Sequence, residues 1–140
     1  MFGKNFSKKP TERQKIGQIG EDLACEFLEK TGYKIVDRNY LKKWGEIDIV
    51  AKNNKKIHFV EVKSVSRDLS KNVIRETIDN YKAEDNMHPW KLQRLGRAIQ
   101  SYLLDKNVSD DIDWQFDVIT VYIDISKGQS KVFLLEDIVL

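Results

Sequence analysis

The chain contains one cysteine, two prolines and two histidines, and each scarcity removes a class of explanation. A lone Cys25 excludes an internal disulfide and a cysteine-built zinc site, and it fits a reducing, cytoplasmic compartment. His58 and His88 are too few for a histidine cluster, and His58 is expected on the strand face opposite Glu61. No apolar run approaches the ~20 residues of a membrane span, and the first residues lack the apolar core of a secretion signal. No membrane partner is therefore expected. Neither sign of charge is in excess: 24 basic against 22 acidic residues leave a net +2. A nucleic-acid partner would have to be met by basic residues segregated onto one surface. Internal repeats and low-complexity stretches are also missing.

At 140 residues and 41% hydrophobic, the chain suits one globular domain over residues 12–140, large enough to bury roughly two-thirds of its unfolded surface. Residues 1–11 carry Lys4, Lys8, Lys9 and Pro10 with few apolar groups. They read as a flexible basic tail, and equally as a solubilising end with no role.

The organising stretch is GEIDIVAKNNKKIHFVEVK, Gly45 to Lys63. Glu46–Val50 and Ile57–Lys63 read as two strands rich in β-branched and aromatic residues, joined by a polar turn with two Asn. Regular alternation puts Glu46 and Asp48 on one face and Ile47 and Ile49 on the other, and places Glu61 with Lys63, backed by Val60 and Val62. A four-residue loop, Asn53–Lys56, sets Asp48 opposite Glu61 and Glu46 opposite Lys63. A two-residue Asn53-Asn54 loop makes Asp48 the diagonal neighbour of Glu61. Either register keeps all four charged groups on one face, whereas a regular three-residue loop would split the acids and is not expected. Facing carboxylates repel and are costly to desolvate without a cation between them. A divalent ion with oxygen ligands is the natural partner, and an adjacent lysine adds a second positive charge.

Around this hairpin the chain predicts a helix from about Thr11 or Glu12 to Lys30, with an apolar stripe of Ile16, Ile19, Leu23, Ala24, Phe27 and Leu28 and a left-handed cap at Thr31-Gly32. Glu21 sits on the flank of that stripe, where a solvated side chain is its plainest reading. Gly17, one turn earlier, would allow close approach of a strand or phosphate. Tyr33–Tyr40 is a first strand. It leads through Lys42 and Lys43, candidate phosphate contacts, to Trp44, a sheet-edge residue or a base-stacking surface. Ser64–Met87 is polar, with short helical character around Val73–Tyr81. His88 invites a metal or general-base reading but has no companions. Pro89 opens a second helix, Trp90 to about Leu104, burying Leu92, Leu95, Ile99 and Leu103. Lys91, Arg94 and Arg97 recur on another side, as a phosphate-binding stripe or a solvated face. A buried strand at Trp114–Ile123 and a last one at Val132–Leu135 follow.

Asp48 with Glu61-Val62-Lys63 resembles the PD-(D/E)XK nuclease signature. The wider string GQIGEDLACEFLEKTGYKIVDRNY, GEIDIV and HFVEVK resembles the YraN family of small bacterial predicted endonucleases, similar to archaeal Holliday-junction resolvases, from about Gly17 to the C-terminus. The resemblance implies an α/β fold with a restriction-endonuclease-like three-layer core, a mixed central sheet flanked by helices in the order α-β-β-β-α-β-β. It also implies hydrolysis of DNA phosphodiesters with Mg²⁺ or Mn²⁺ held by Asp48 and Glu61. Glu21 would be a third carboxylate, because Gly20-Glu21 matches the family's helical glutamate. Lys63 would orient the attacking water and offset charge on the transition state. The chain departs from the family in its longer link after Ser64, and in Gln115, which stands where the family has arginine in its Arg-Phe-Asp-Val string. No charge role is assigned there.

Two rivals stand beside the enzyme: a non-catalytic nucleic-acid-binding module of the same fold, and a small α/β domain in which Asp48, Glu61 and Lys63 form a structural ion-pair network. Three acids around one lysine leave excess negative charge, which favours a metal. The preferred DNA structure, any action on RNA, and pairing of two copies as a homodimer are open at this level.

Overall fold

The structure, a computed structural model, describes residues 9–69 and 88–140. Its elements in chain order are α1 (Glu12–Lys30), β1 (Lys34–Lys42), β2 (Gly45–Asn53), β3 (Lys56–Ser66), α2 (Pro89–Asp105), β4 (Trp114–Asp124) and β5 (Gln129–Leu135). This is the order the sequence predicts, in a five-stranded sheet whose spatial order matches chain order. Pairing is antiparallel except between β3 and β4, which run parallel across the α2 crossover. The expected helical character at 73–81 lies outside the described residues.

Helix α1 starts at Thr11, whose hydroxyl accepts from Gln14 N–H while the Gln14 side chain accepts from Thr11 N–H, a reciprocal cap. It ends at Gly32, where φ is +98°. One apolar face of the sheet packs on α1 through Ile49, Ala51, Val60, Ile119, Val121 and Ile123 against Ala24, Cys25 and Leu28. The other packs on α2 through Ile47, Val50, Ile57, Phe59, Phe116 and Val118 against Leu95, Ala98, Ile99 and Tyr102. The buried stripe of α2 thus runs through Ala98 and Tyr102, while Leu92 and Leu103 are only half-buried. Tyr102 is kept inside by its hydroxyl, which donates to Asp37 Oδ2 at 2.7 Å.

The β2–β3 register is the first of the two anticipated, but the loop is shorter. Ile49↔Val60 continues to Asn53↔Lys56, leaving Asn54-Lys55 as a two-residue turn with Asn54 at φ +59°. The regular alternation expected for β2 is not found. Ile47 packs on the α2 side and Ile49 on the α1 side, although they are two residues apart. The neighbouring strand slips at the same level. Tyr40 packs against the α2-side cluster while Arg38 reaches Glu21 and Asp22 on α1. Between them Asn39 takes φ +54°, a left-handed turn of the backbone that Asn tolerates and that rotates the pleat.

Two glycines test this packing in opposite directions. A Cβ on Gly45 would come within 2.5 Å of the Arg94 carbonyl oxygen, whereas one on Gly17 meets nothing within 4 Å. Gly45→Ala is expected to lose about 1–3 kcal/mol by forcing β2 away from α2. Gly17→Ala, in a helix interior, should gain up to about 1 kcal/mol. Urea unfolding of both variants checks this. Equal stability for Gly45→Ala and wild type would mean that β2 and α2 do not meet so closely.

Candidate active site

Asp48 stands at the slip. β2 pairs with β3 only as far as Ile49↔Val60, yet runs on to Gly45 paired with β1. Where the β2–β3 ladder stops, the Asp48 side chain takes over: its Oδ2 accepts the Val62 N–H at 2.8 Å. Among the described residues no hydrogen bond reaches its Oδ1. Burial, opposed by the Val62 bond and reinforced by the charges of Glu61, Glu46 and Glu21, pushes the Asp48 carboxyl up to about 7.

The other predicted acids fall on either side of this residue, not on one face as expected. Glu46 and Asp48 line a cavity on the α1 side with Glu21, Gly17, Asn39, Arg13 and Ser64. Glu61 lies between Val60 and Val62, which both pack towards α1, and so faces α2, where its Oε2 lies 3.1 Å from Lys91 Nζ. Lys63 shares that face by alternation and is half-buried. The physical reason is the slip: one strand changes phase at Asp48 while β3 keeps strict alternation. Glu21 reaches the cavity from the first helix. It is not a solvated flank, since its Oε1 takes Arg38 Nε at 3.1 Å, Arg38 Nη2 at 2.8 Å and Asn39 Nδ2 at 3.0 Å. Among the described residues no hydrogen bond reaches its Oε2.

The expected phosphate-binding residues are not gathered into one patch. Lys42 lies 3.4 Å from Asp105, near the C-terminal end of α2, and Lys91 is in its first turn, roughly 20 Å away along the helix. Lys43 is exposed in the two-residue turn between β1 and β2. Arg94 and Arg97 are exposed, and Arg97 borders a shallow apolar groove with Trp114, Leu104 and Leu140. Trp44 is 42% exposed beside Gly45.

Among the described residues the His, Cys, Asp and Glu ligand atoms that do converge in a group of three, within 4.8 Å, belong to His58, Asp117 and Glu136. This cluster was not anticipated, because it depends on the β3–β4 register that sets His58 opposite Gln115. Both Asp117 oxygens are already engaged. Oδ1 accepts from Gln115 Nε2 at 2.7 Å and from Asp137 N–H at 2.9 Å, and Oδ2 lies 2.7 Å from His58 Nδ1. With Ile138 N–H donating to Phe116 O at 2.7 Å, these bonds explain the cluster as a clasp on residues 136–138. His88 is the exposed N-cap of α2, and its side chain makes no capping bond.

The donor set at Asp48 fits a hard divalent cation. It offers carboxylate oxygens, one of them on the half-buried Asp48 and without a hydrogen-bond donor among the described residues, and the charges of Glu61, Glu46 and Glu21 all bear on that carboxyl. The fit requires Glu61 to give up Lys91.

Asp48 also sets a pH dependence. Its carboxyl titrates near 3.8 when unfolded and near 7 when folded. Between these values the unfolded chain has lost the proton that the folded chain keeps. Ionisation therefore subtracts stability as pH rises through this window, and the full loss stands above about pH 7. Asp48→Asn retains an acceptor for Val62 N–H and has no proton to lose. In chelator-containing buffer its stability relative to wild type is expected to climb between about pH 4 and pH 7 and then level, the rise being at most about 4 kcal/mol and less where solvent screens the half-buried carboxyl. Thermal melts across pH measure this. A difference that stays flat over the window would contradict the raised carboxyl.

Comparison with known proteins places the chain. Residues 20–121 match the model of "Uncharacterised protein family UPF0102". A UPF0102 protein of Campylobacter jejuni subsp. doylei is 36% identical over 109 residues, covering 78% of this chain and 85% of that protein. One from Flavobacterium johnsoniae is 34% identical over 113 residues, covering 79% and 84%. One from Campylobacter lari is 36% identical over 112 residues, covering 80% and 88%. None of these names states an activity, and the family is the YraN-like group that the motifs resemble. The chain belongs to the UPF0102 family.

Proposed function

We propose that the protein is a metal-dependent endonuclease hydrolysing DNA phosphodiester bonds, with branched or structured DNA as the first substrate class to try. The observation that supports this most is Asp48, a half-buried carboxyl with its pKa raised by burial, set where β2 and β3 part and repelled by Glu61, Glu46 and Glu21. Uncompensated charge at one point of a sheet is costly for a structural site and useful for a cation site. Asp48, Glu61 and Glu21 Oε2 would hold Mg²⁺ or Mn²⁺ once the Glu61 side chain leaves Lys91 and the three carboxylates, which do not converge within 4.8 Å here, draw together. When bound, such an ion activates the scissile phosphate and the attacking water as a Lewis acid. Asp48 is kept oriented by Val62 N–H, and Glu21 by Arg38 and Asn39. Lys63, on the Glu61 face, orients the attacking water and offsets charge on the pentavalent phosphate.

One observation favours the structural ion-pair network. Glu61 and Glu21 already have cationic partners in Lys91 and Arg38, as an ion-pair network would require. Calorimetry with Mn²⁺ separates the two readings. The nuclease reading expects binding by wild type and its loss in Asp48→Ala. No binding at millimolar Mn²⁺, or unchanged binding in the variant, defeats it.

Lys63→Ala is expected to fold and to bind Mn²⁺ while cleaving roughly 10²-fold more slowly, on a panel of single-stranded, duplex, flap and four-way-junction DNA. Equal cleavage rates would remove Lys63 from the mechanism. If wild type cleaves nothing on that panel, the binding-module reading takes over.

For the nucleic-acid surface, Arg94→Glu/Arg97→Glu should weaken DNA binding on all sequences alike and flatten its salt dependence. Unchanged affinity at low salt in a fluorescence-anisotropy titration would make this a solvated face.

A further inference from the structure

Lys91 is in the first turn of α2, a turn with no acidic residue. That is the positive end of the helix, where a lysine is electrostatically disfavoured. What holds its ammonium there is Glu61, 3.1 Å away. Glu61 is mostly buried, its side chain 16% exposed, whereas that of Lys91 is 38% exposed. The acid is therefore fixed in the sheet, and the lysine has room to swing outward on a flexible stem without disturbing the helix. Lys91 Nζ also takes Glu61 Oε2, an oxygen that a divalent cation would compete for, and it pairs with one of the charges that burden Asp48.

We propose that Lys91 is the resident counter-ion of Glu61, displaced when a divalent ion enters and then transferred to a DNA phosphate, so that metal binding and DNA binding promote one another. This rests on the nuclease reading of the Asp48 site and deepens it. Lys91 would be neither a permanent phosphate contact nor a structural salt bridge, but a positioning residue that alternates between the two. The exchange is near balance, since a half-exposed pair is worth at most about 1 kcal/mol. The displaced ammonium gains a phosphate oxygen only while DNA is bound. The coupling is reciprocal: whatever factor Mn²⁺ adds to DNA affinity, DNA adds to Mn²⁺ affinity.

The test is calorimetric titration of Mn²⁺ into wild type, Lys91→Ala, Lys91→Met and Lys91→Arg without DNA, with melting curves to confirm folding. Anisotropy titration of a four-way junction with and without Mn²⁺ follows, in a Lys63→Ala background so that the DNA stays intact. Lys91→Ala and Lys91→Met are expected to bind Mn²⁺ about two- to fivefold more tightly than wild type, because the competing ammonium is gone. Lys91→Arg should restore weaker, wild-type-like binding. In the junction titration Mn²⁺ should raise DNA affinity by a larger factor when Lys91 is present than when it is alanine. Equal or weaker Mn²⁺ binding by Lys91→Ala, with wild type binding normally, overturns the role of Lys91 and leaves the nuclease reading standing. No Mn²⁺ binding by any of the four proteins overturns both.

Discussion

A single hydrogen bond, from the Val62 amide to the Asp48 carboxylate, is the constraint on which the arrangement of this molecule turns. In an unbroken antiparallel pair that amide would face a backbone carbonyl. Here a side chain takes the carbonyl's place, so β2 can leave β3 without stranding a buried donor. The strands part, a cavity opens on the α1 side, and Glu61 is left facing α2. Asn39, left-handed on the neighbouring strand, lets β1 follow β2 through the same change of phase.

The charges around this point are arranged asymmetrically. On the α1 side Glu21 and Asp22 are bound by Arg38, whose guanidinium is raised further by Asp22 and then Glu21. On the α2 side Glu61 is met by Lys91. Asp48 lies between, repelled from both directions and holding one backbone donor. Glu21 and Glu61 have cationic partners, whereas Asp48 has one backbone donor and is burdened by burial and by the charges of Glu61, Glu46 and Glu21.

Much of this could be read along the chain, and what could not has a common cause. Strand and helix positions follow from local periodicity and turn residues. The Asn-rich turn and the stop at Gly32 depend only on which residues accept a positive φ. The α1 cap at Thr11 with Gln14 was also locally written, though it went unrecognised. The placing of all four charges on one face failed because alternation was assumed to continue through Asp48, and the slip is visible only when Asn39 and Asp48 lie side by side. His58 with Asp117 was illegible for a similar reason, since parallel β3–β4 pairing is set by a long crossover. Lys91 was assigned by helical spacing to a phosphate stripe. Its partner, thirty residues earlier, could not be seen from helical spacing.

The clasp at the other end of the sheet bears on how the domain comes together in time. Asp117 is wholly buried in β4, and one of its bonds comes from Asp137 N–H, beyond β5. Until residues 136–138 have been made and folded back, that carboxylate lacks one of its donors and the Phe116 carbonyl lacks the Ile138 amide. The burial of β4 is thus completed by a segment that follows β5 in the chain. A nascent chain that already holds α1, the β1–β3 meander and α2 would still lack β4 and the clasp that satisfies it, and would close as a unit rather than piece by piece.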